Sequence, residues 1–350
     1  MKRCLSVLVC AFLLLLTGCA LTNGSHVNID TGMEQLAEGD YEGALTSFSL
    51  ALAEGENKRL IYRGRGIAYL QTGAYDDAIA AFDLALKETN GIVTRADYDL
   101  NFYLAESYLK SERYSLAESV YSTILSLKKE DADAYYLRGV ARLKGGNLQG
   151  ANEDFQAAVD LKPQDYDRLF LICEAYEEAG YPAEGQTLLN GVYENVKDTL
   201  SDYERGRFAY YAGDLTEAMK ALEAARSGSG PEVIEAVLLL GRVAEEQGDF
   251  DYAEGIYRAY LKNNRENARV YNRLGLCELK SGRLDAAISD FESGISLDDK
   301  TMRQDLAWNI IVAYEMKGEF GTAFDLTKQY LTRYPTDEKA LREYTFLSTR

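Results

Sequence analysis

The sequence predicts an all-α solenoid of about nine helical hairpins followed by a C-terminal capping helix. Three observations lead there. A glycine-centred pattern recurs at a nearly constant interval from residue 29 onward, small and aromatic residues recur at fixed offsets from each glycine, and a composition of 47% hydrophobic and 27% charged residues is that of a chain able to bury a large core.

The anchors of the pattern are Gly39, Gly73, Glu112, Gly146, Gly180, Gly213, Gly248, Gly282 and Gly318, spaced 34, 39, 34, 34, 33, 35, 34 and 36 residues apart. Seven residues before them stand Gly32, Gly66, Ala105, Gly139, Cys173, Gly206, Gly241 and Gly275, with Ile311 as the exception. Two residues after comes an apolar side chain in every unit but the fifth, which has Pro182. Five after, Ala fills eight units and Gly185 the ninth. Nine after, Phe, Tyr or Leu occurs in eight units, among them Phe48, Phe82, Tyr121, Phe155, Tyr257 and Phe291.

Each residue type has a physical reason. A helix that ends in a chain reversal needs a residue free to take positive φ, which is glycine's privilege. A following Asp or Asn opens the next helix, small residues let two antiparallel helices approach, and the aromatic fills the space against the next unit. This arrangement resembles the tetratricopeptide repeat family over about residues 28–335, with Pro163 and Pro335 where that family often ends a repeat. The resemblance implies a right-handed α-α superhelix that binds a peptide or a partner helix on its concave face. The fifth unit, with Cys173, Pro182 and Gly185, departs most from the family pattern.

Two junctions break the period. The 39-residue step places five extra residues in Asn90-Gly91 through Asp97, and Ser227-Gly228-Ser229-Gly230-Pro231 has the composition of a flexible linker. The second divides units 1–6 (28–226) from units 7–9 (232–335), either as a hinge at 227–231 or as an ordinary long turn. Residues 336–350 contain an amphipathic helix from Asp337 to Leu347, whose Ala340, Leu341, Tyr344 and Leu347 form the stripe that would cap the stack.

The N-terminus reads as a secretion signal over 1–18. Lys2 and Arg3 precede the apolar run Leu5 to Leu16, which at about 12 residues is too short to span a bilayer as a helix. The run closes on Leu16-Thr17-Gly18-Cys19, which resembles the bacterial lipobox. That resemblance implies cleavage before Cys19, a diacylglycerol and an N-acyl chain on Cys19, and a lipidated tether over 19–27 holding the protein to the outer face of the cell membrane or to the outer membrane. Cleavage removes Lys2 and Arg3 and no acid, taking the formal charge from −18 to −20. Cys4 and Cys10 leave with the signal. Cys173 and Cys277 lie on first helices three repeats apart, further than a disulfide reaches, and are expected as free, buried thiols.

On the first helix of each unit, residues ten, six and three before the anchor share a face. The ten-before set includes Phe102, Tyr136, Phe170, Tyr203 and Trp308, and beside it lie Glu106, Glu174, Arg207, Tyr210 and Arg242. These ten residues are the candidate partner-binding groove, an aromatic ladder edged with acid that suits basic or apolar segments of envelope proteins or peptides. The same stripe is equally the pattern of hairpin core, and the sequence leaves both readings open.

Acidic net charge and the secretion signal argue against nucleic acid as a partner. One His, and no G-x-S-x-G, Walker loop, H-E-x-x-H, C-x-x-C or EF-hand run, argue against an enzyme, a metal site or a cofactor beyond the lipid on Cys19. The expectation is a membrane-anchored, extracytoplasmic adaptor or scaffold in the bacterial cell envelope; a receptor for a soluble glycan or peptide is the alternative.

Overall fold

A computed structural model describes residues 26–88, 94–263, 266–335 and 337–350. The secretion signal at 1–18, the lipidation site Cys19 and most of the tether lie outside the described residues, as does most of the inserted turn around Asn90-Gly91. Among the described residues every regular element is helical, and no helix is long and apolar enough to cross a membrane.

The chain divides into two compact units, 1–188 and 189–350. The first contains the hairpins α1 (Val27–Glu38) with α2 (Tyr41–Ala53), α3 (Lys58–Gln71) with α4 (Tyr75–Lys87), α5 (Arg95–Lys110) with α6 (Tyr114–Leu127), and α7 (Ala132–Lys144) with α8 (Leu148–Leu161), then α9 (Tyr166–Glu178). The division falls within α10 (Pro182–Val196). The second unit continues with α11 (Asp202–Tyr211) and α12 (Leu215–Arg226), α13 (Glu232–Glu246) and α14 (Phe250–Asn263), α15 (Ala268–Lys280) and α16 (Leu284–Ser296), and α17 (Arg303–Met316) and α18 (Phe320–Arg333). It ends in α19 (Glu338–Leu347), N-capped by Asp337 and packed on α18 as the amphipathic stripe requires. In each unit helices pack on their sequence neighbours, and first helices also pack on the first helices of adjoining hairpins, as α1 on α3 and α11 on α13. Segment 227–231 lies within the second unit, where Ser227 and Pro231 cap α12 and α13.

Every anchor glycine is left-handed, with φ between 77° and 86°, and Glu112 takes the same conformation at 61°. Around Gly39 the reversal is closed by two hydrogen bonds. The Gly39 N–H donates to the Leu36 carbonyl at 3.2 Å and the Asp40 N–H to the Gln35 carbonyl at 2.8 Å. Asp40 then accepts from the Gly43 N–H at 3.0 Å, and Asn147, Asp214 and Asp249 open their helices in the same way. The first helix therefore stops and the second starts within two residues. At the irregular junction Thr94 begins α5, its N–H and hydroxyl both donating to Asp97 at 2.6 and 2.7 Å. Asp97 thus belongs to the first turn of a helix, not to the inserted turn in which the sequence reading placed it.

The small residue seven before the anchor is a socket. An added Cβ at Gly139 would stand 2.6 Å from the Phe155 ring, at Gly275 2.5 Å from Phe291, and at Gly241 2.2 Å from Tyr257, each ring lying nine after the anchor of the same unit. Phe48 closes on Gly32 of its own unit and on Gly64 of the next, so the ring both locks its hairpin and joins it to its neighbour. The contact with the next unit is the one the sequence pattern leads one to expect, and the contact within the ring's own hairpin adds to it. Sizes are exchanged where the pattern is broken. In the last hairpin Ile311 occupies the small position and buried Thr327 the aromatic one, and in the fifth Cys173 faces Gly185, its thiol 3.6 Å from the Gly185 carbonyl. Cys173 and Cys277 are free and buried, and burial pushes their thiols up to about 12 and about 11.

Gly→Ala in a helix interior ordinarily adds about 1 kcal/mol of stability. For Gly255→Ala in α14, where an added Cβ meets nothing within 4 Å, urea unfolding should show a gain of up to ~1 kcal/mol. Gly241→Ala, against the Tyr257 ring, should instead lose about 2–3 kcal/mol. Equal effects from the two substitutions would refute the socket.

Candidate functional site

The groove residues fall into three physical situations. Tyr136 and Phe170 are core: Tyr136 is 4% exposed with its ring 6.2 Å from Phe155, and Phe170 is 2% exposed. The helical face drawn from the sequence therefore dips below the surface at these positions, and the ladder is not continuous there. Burial, then the nearby Glu174 carboxylate, pushes the Tyr136 hydroxyl up to about 12. Glu245, placed beside the groove by the same pattern, is also buried; it accepts from the Tyr257 hydroxyl at 2.9 Å and from Lys280 Nζ at 2.6 Å. The hydroxyl that Tyr257 carries in place of Phe needs an acceptor inside the core, and that acceptor in turn needs a cation.

A second group is half-buried in the first unit. The Phe102 ring lies 4.9 Å from Tyr98 and 6.0 Å from Tyr121 on α6. Glu106, one turn along α5, has its carboxyl pushed up by burial, against which Lys110 works. Glu174 on α9 is exposed. Asp99, Asp133 and Asp167, each thirteen before its anchor, extend the acidic character of these first helices.

The third group lies in the second unit, where it lines an open concavity. Arg207 on α11, Arg242 on α13, and Arg269 and Arg273 on α15 line a cavity of about 320 Å³ with Tyr203 and Glu235. The guanidinium of Arg207 lies 5.5 Å from the centre of the Tyr203 ring, and that of Arg242 lies 4.6 Å from Tyr210. The Tyr210 hydroxyl donates to Glu246 at 2.7 Å. Arg269 holds Glu235 with two nitrogens, at 2.6 and 2.9 Å. Trp308, on α17, is not in this cavity; its ring lies 5.6 Å from Tyr330, with Lys339 Nζ 4.4 Å from its centre.

The sequence reading found Tyr203, Arg207 and Arg242 of the cavity and missed Arg269, Arg273 and Glu235. The missing residues stand thirteen and nine before their anchors, one turn beyond and one residue beside the stripe that was read. Extending the face to the thirteen-before position would have brought in Glu235 and Arg269.

The chain matches the tetratricopeptide repeat family model at residues 29–91, 103–166, 203–263 and 238–300, together more than half its length. It belongs to the tetratricopeptide repeat family. The family's repeats are a protein-interaction scaffold rather than a catalytic fold. From residue 29 onward the unmatched stretches are 92–102, 301–350, which holds the last hairpin and the capping helix, and 167–202, which holds most of the fifth hairpin, where Cys173, Pro182 and Gly185 replace the usual residues. Two curated relatives are the RNA polymerase II-associated protein 3 of Xenopus laevis, 33% identical over 63 residues, and of Homo sapiens, 23% identical over 130 residues. These alignments cover 18% and 33% of this chain, and the chain spans only 10% and 20% of those relatives. Among solved structures, MamA from Desulfovibrio magneticus RS-1 is 24% identical with a TM-score of 0.42, covering 51% of this chain and 99% of that one. YrrB, described as a repeat protein with an unusual peptide-binding site, is 20% identical with a TM-score of 0.40, covering 54% and 92%. A repeat protein from Parabacteroides merdae is 14% identical with a TM-score of 0.41, covering 81% and 97%.

One charge cluster of the second unit is structural and pH-sensitive. Fully buried Glu278 on α15 lies close to Asp290 on α16, and Arg258 reaches both carboxyls. Burial, then the Asp290 charge and the hydrogen bond to it, pushes Glu278 up to about 7. The unfolded chain gives up this proton near the ordinary value of about 4.3, so the stability it contributes is complete below that and is lost as pH rises through about 7. Glu278→Gln should therefore raise stability at pH 8 by about 1–2 kcal/mol and flatten the fall between pH 5 and 8 in thermal melts. An unchanged slope would show that the pair is ionised throughout.

Proposed function

We propose that the protein is an extracytoplasmic lipoprotein, held to the membrane by acyl chains on Cys19, whose repeats act as a scaffold or adaptor for other envelope proteins. The observation that carries the scaffold role is the repeated helical hairpin, whose first helices pack on one another within each unit, as α1 on α3 and α11 on α13, and keep aromatic and charged side chains half-exposed. The anchor rests on the sequence alone, on the basic start, the short apolar run and Leu16-Thr17-Gly18-Cys19. Two or more acyl chains would make the attachment stable, since each buried methylene contributes about 0.8 kcal/mol. In the first unit Phe102, Glu106 and Glu174, with the aspartates thirteen before their anchors, suit a segment carrying basic and apolar side chains.

Two measurements test this reading. In the native host, Cys19→Ala should abolish incorporation of an alkyne-tagged fatty acid and move the protein from the membrane to the soluble fraction; retention in the membrane would refute the anchor. For the scaffold, Glu106→Gln combined with Glu174→Gln should weaken binding of a basic, leucine-containing peptide about three- to tenfold while leaving the melting temperature unchanged. An unaltered affinity would remove the first-unit face from the binding site.

A further inference from the structure

We infer that the capping helix α19 is a pH-controlled latch on the end of the stack, seated while one of the facing carboxyls Glu315 and Glu343 is protonated and loosened when both are ionised. The latch needs neither the membrane anchor nor a peptide partner. Counted from an anchor placed 34 residues after Gly318, Ala340 and Leu347 stand twelve and five before it, as Leu306 and Ala313 do on α17 and Val270 and Cys277 on α15, and like them they are buried. α19 therefore repeats the first helix of a hairpin, but no second helix follows it among the described residues. Thr345, in the socket position seven before that anchor, and Leu341 beside it are exposed, where in other units the second helix covers this face. A helix packed from one side only is the element of a solenoid that opens most readily.

A polar seam joins α19 to the last hairpin. Asp337 accepts from the Tyr330 hydroxyl at 2.6 Å and from Gln304 Nε2 at 3.3 Å, and Lys339 Nζ stands 4.4 Å from the centre of the Trp308 ring. Further along, half-buried Glu315 on α17 meets half-buried Glu343 on α19, and the buried Oε1 of Glu315 has no hydrogen-bond partner among the described residues. Lys339, one turn before Glu343, is the cation that acts on Glu315. Lys317, two residues after Glu315, is held by Asp285 and Glu319 at 2.7 Å each; Arg342, beside Glu343, lies 3.5 Å from Glu338; and Arg350 lies over the rings of Phe320 and Phe346. Burial, then the Glu343 charge and the hydrogen bond to it, pushes Glu315 up to about 7, with Lys339 working against them. With α19 detached the carboxyl returns to the ordinary value of about 4.3, so the seat is firmest below that and weakens as pH rises through about 7.

Other first helices are joined by opposite charges. Arg59 on α3 holds Asp97 on α5 at 2.5 Å, Arg168 on α9 holds Asp133 on α7 at 2.6 Å, and Arg269 on α15 holds Glu235 on α13 at 2.6 Å. Such pairs stay charged and attractive on both sides of neutrality. Between α17 and α19 two carboxyls take that place, so the same pH range turns the contact from a hydrogen bond into a repulsion. The Glu278 and Asp290 pair differs in kind: it lies between α15 and α16 of one hairpin, and Arg258 reaches both its members. Strain there is borne by a closed hairpin, whereas strain at Glu315 is relieved by movement of α19 alone. Its departure would uncover Ile311 and Tyr330, which it buries with Ala340 and Leu347.

The test is hydrogen exchange of the α19 amides in the full chain at pH 6 and pH 8, each corrected for the intrinsic exchange rate. Protection of residues 338–347 should fall about three- to tenfold between the two, the lower figure allowing for solvent screening of a half-buried pair. Trp308, the single tryptophan of the chain, lies under Lys339 and gives a second readout, its quenching by acrylamide rising over the same range. Glu315→Gln, and independently Glu343→Gln, should remove the pH dependence of both signals, and Glu278→Gln should leave it in place. Equal protection at pH 6 and pH 8 in the unaltered protein would overturn the proposal, as would an undiminished fall in both Gln variants of the seam. A fall abolished by Glu278→Gln would overturn it too, since α19 would then follow the α15 and α16 hairpin and not its own carboxyls.

Discussion

The ring set into the small residue of its own hairpin is the interaction on which the rest of the structure depends. Two antiparallel helices can be brought together by any apolar stripe, but a ring lying where a Cβ would otherwise stand fixes their register as well as their distance. Because Phe48 covers Gly32 and Gly64 together, the contact that closes one hairpin also seats the next. Stacking then follows without long-range design, each hairpin completing the core of its neighbour. The left-handed anchors and their Asp or Asn caps bring the two helices into position, and the socket holds them.

The exceptions obey the same constraint. Ile311 is accompanied by Thr327, and Cys173 by Gly185, so volume lost on one side is regained on the other. Tyr257 adds a hydroxyl to the buried ring and brings with it Glu245 and Lys280, a polar chain that exists because an unpaired hydroxyl in the core would be costly. Glu245 is for that reason part of the packing and unavailable to a partner, although its place in the repeat resembles that of exposed acids elsewhere.

With the first helices committed to one another on one side, what they present on the other is set by residues that the packing leaves free to vary. In the first unit these are aspartates and glutamates among aromatic rings; in the second they include four arginines around one cavity. The Tyr210 ring lies beneath Arg242 and the Tyr203 ring beneath Arg207, which also reaches Glu204, so ring and helix together hold each cation in place.

The fold was legible in the sequence because the socket, the anchor and the cap demand particular residue types at particular offsets. All nine reversals, the capping helix and the two free thiols follow from Gly39, Gly32, Phe48 and their counterparts counted along the chain. Surface chemistry was legible only in part. Tyr136 and Phe170 lie on the same helical stripe as Tyr203, yet burial removes the first two from the surface and leaves the third beside Arg207, because depth depends on what the neighbouring hairpin places against them. Arg269 and Arg273 reach the cavity through the packing of α13 on α15, an adjacency that no offset within one repeat contains. The sequence by itself determined the hairpin, whose contacts are local and repeat. Only the tertiary structure decided which side chains meet across hairpins, since that depends on the distance and rotation between helices from different repeats.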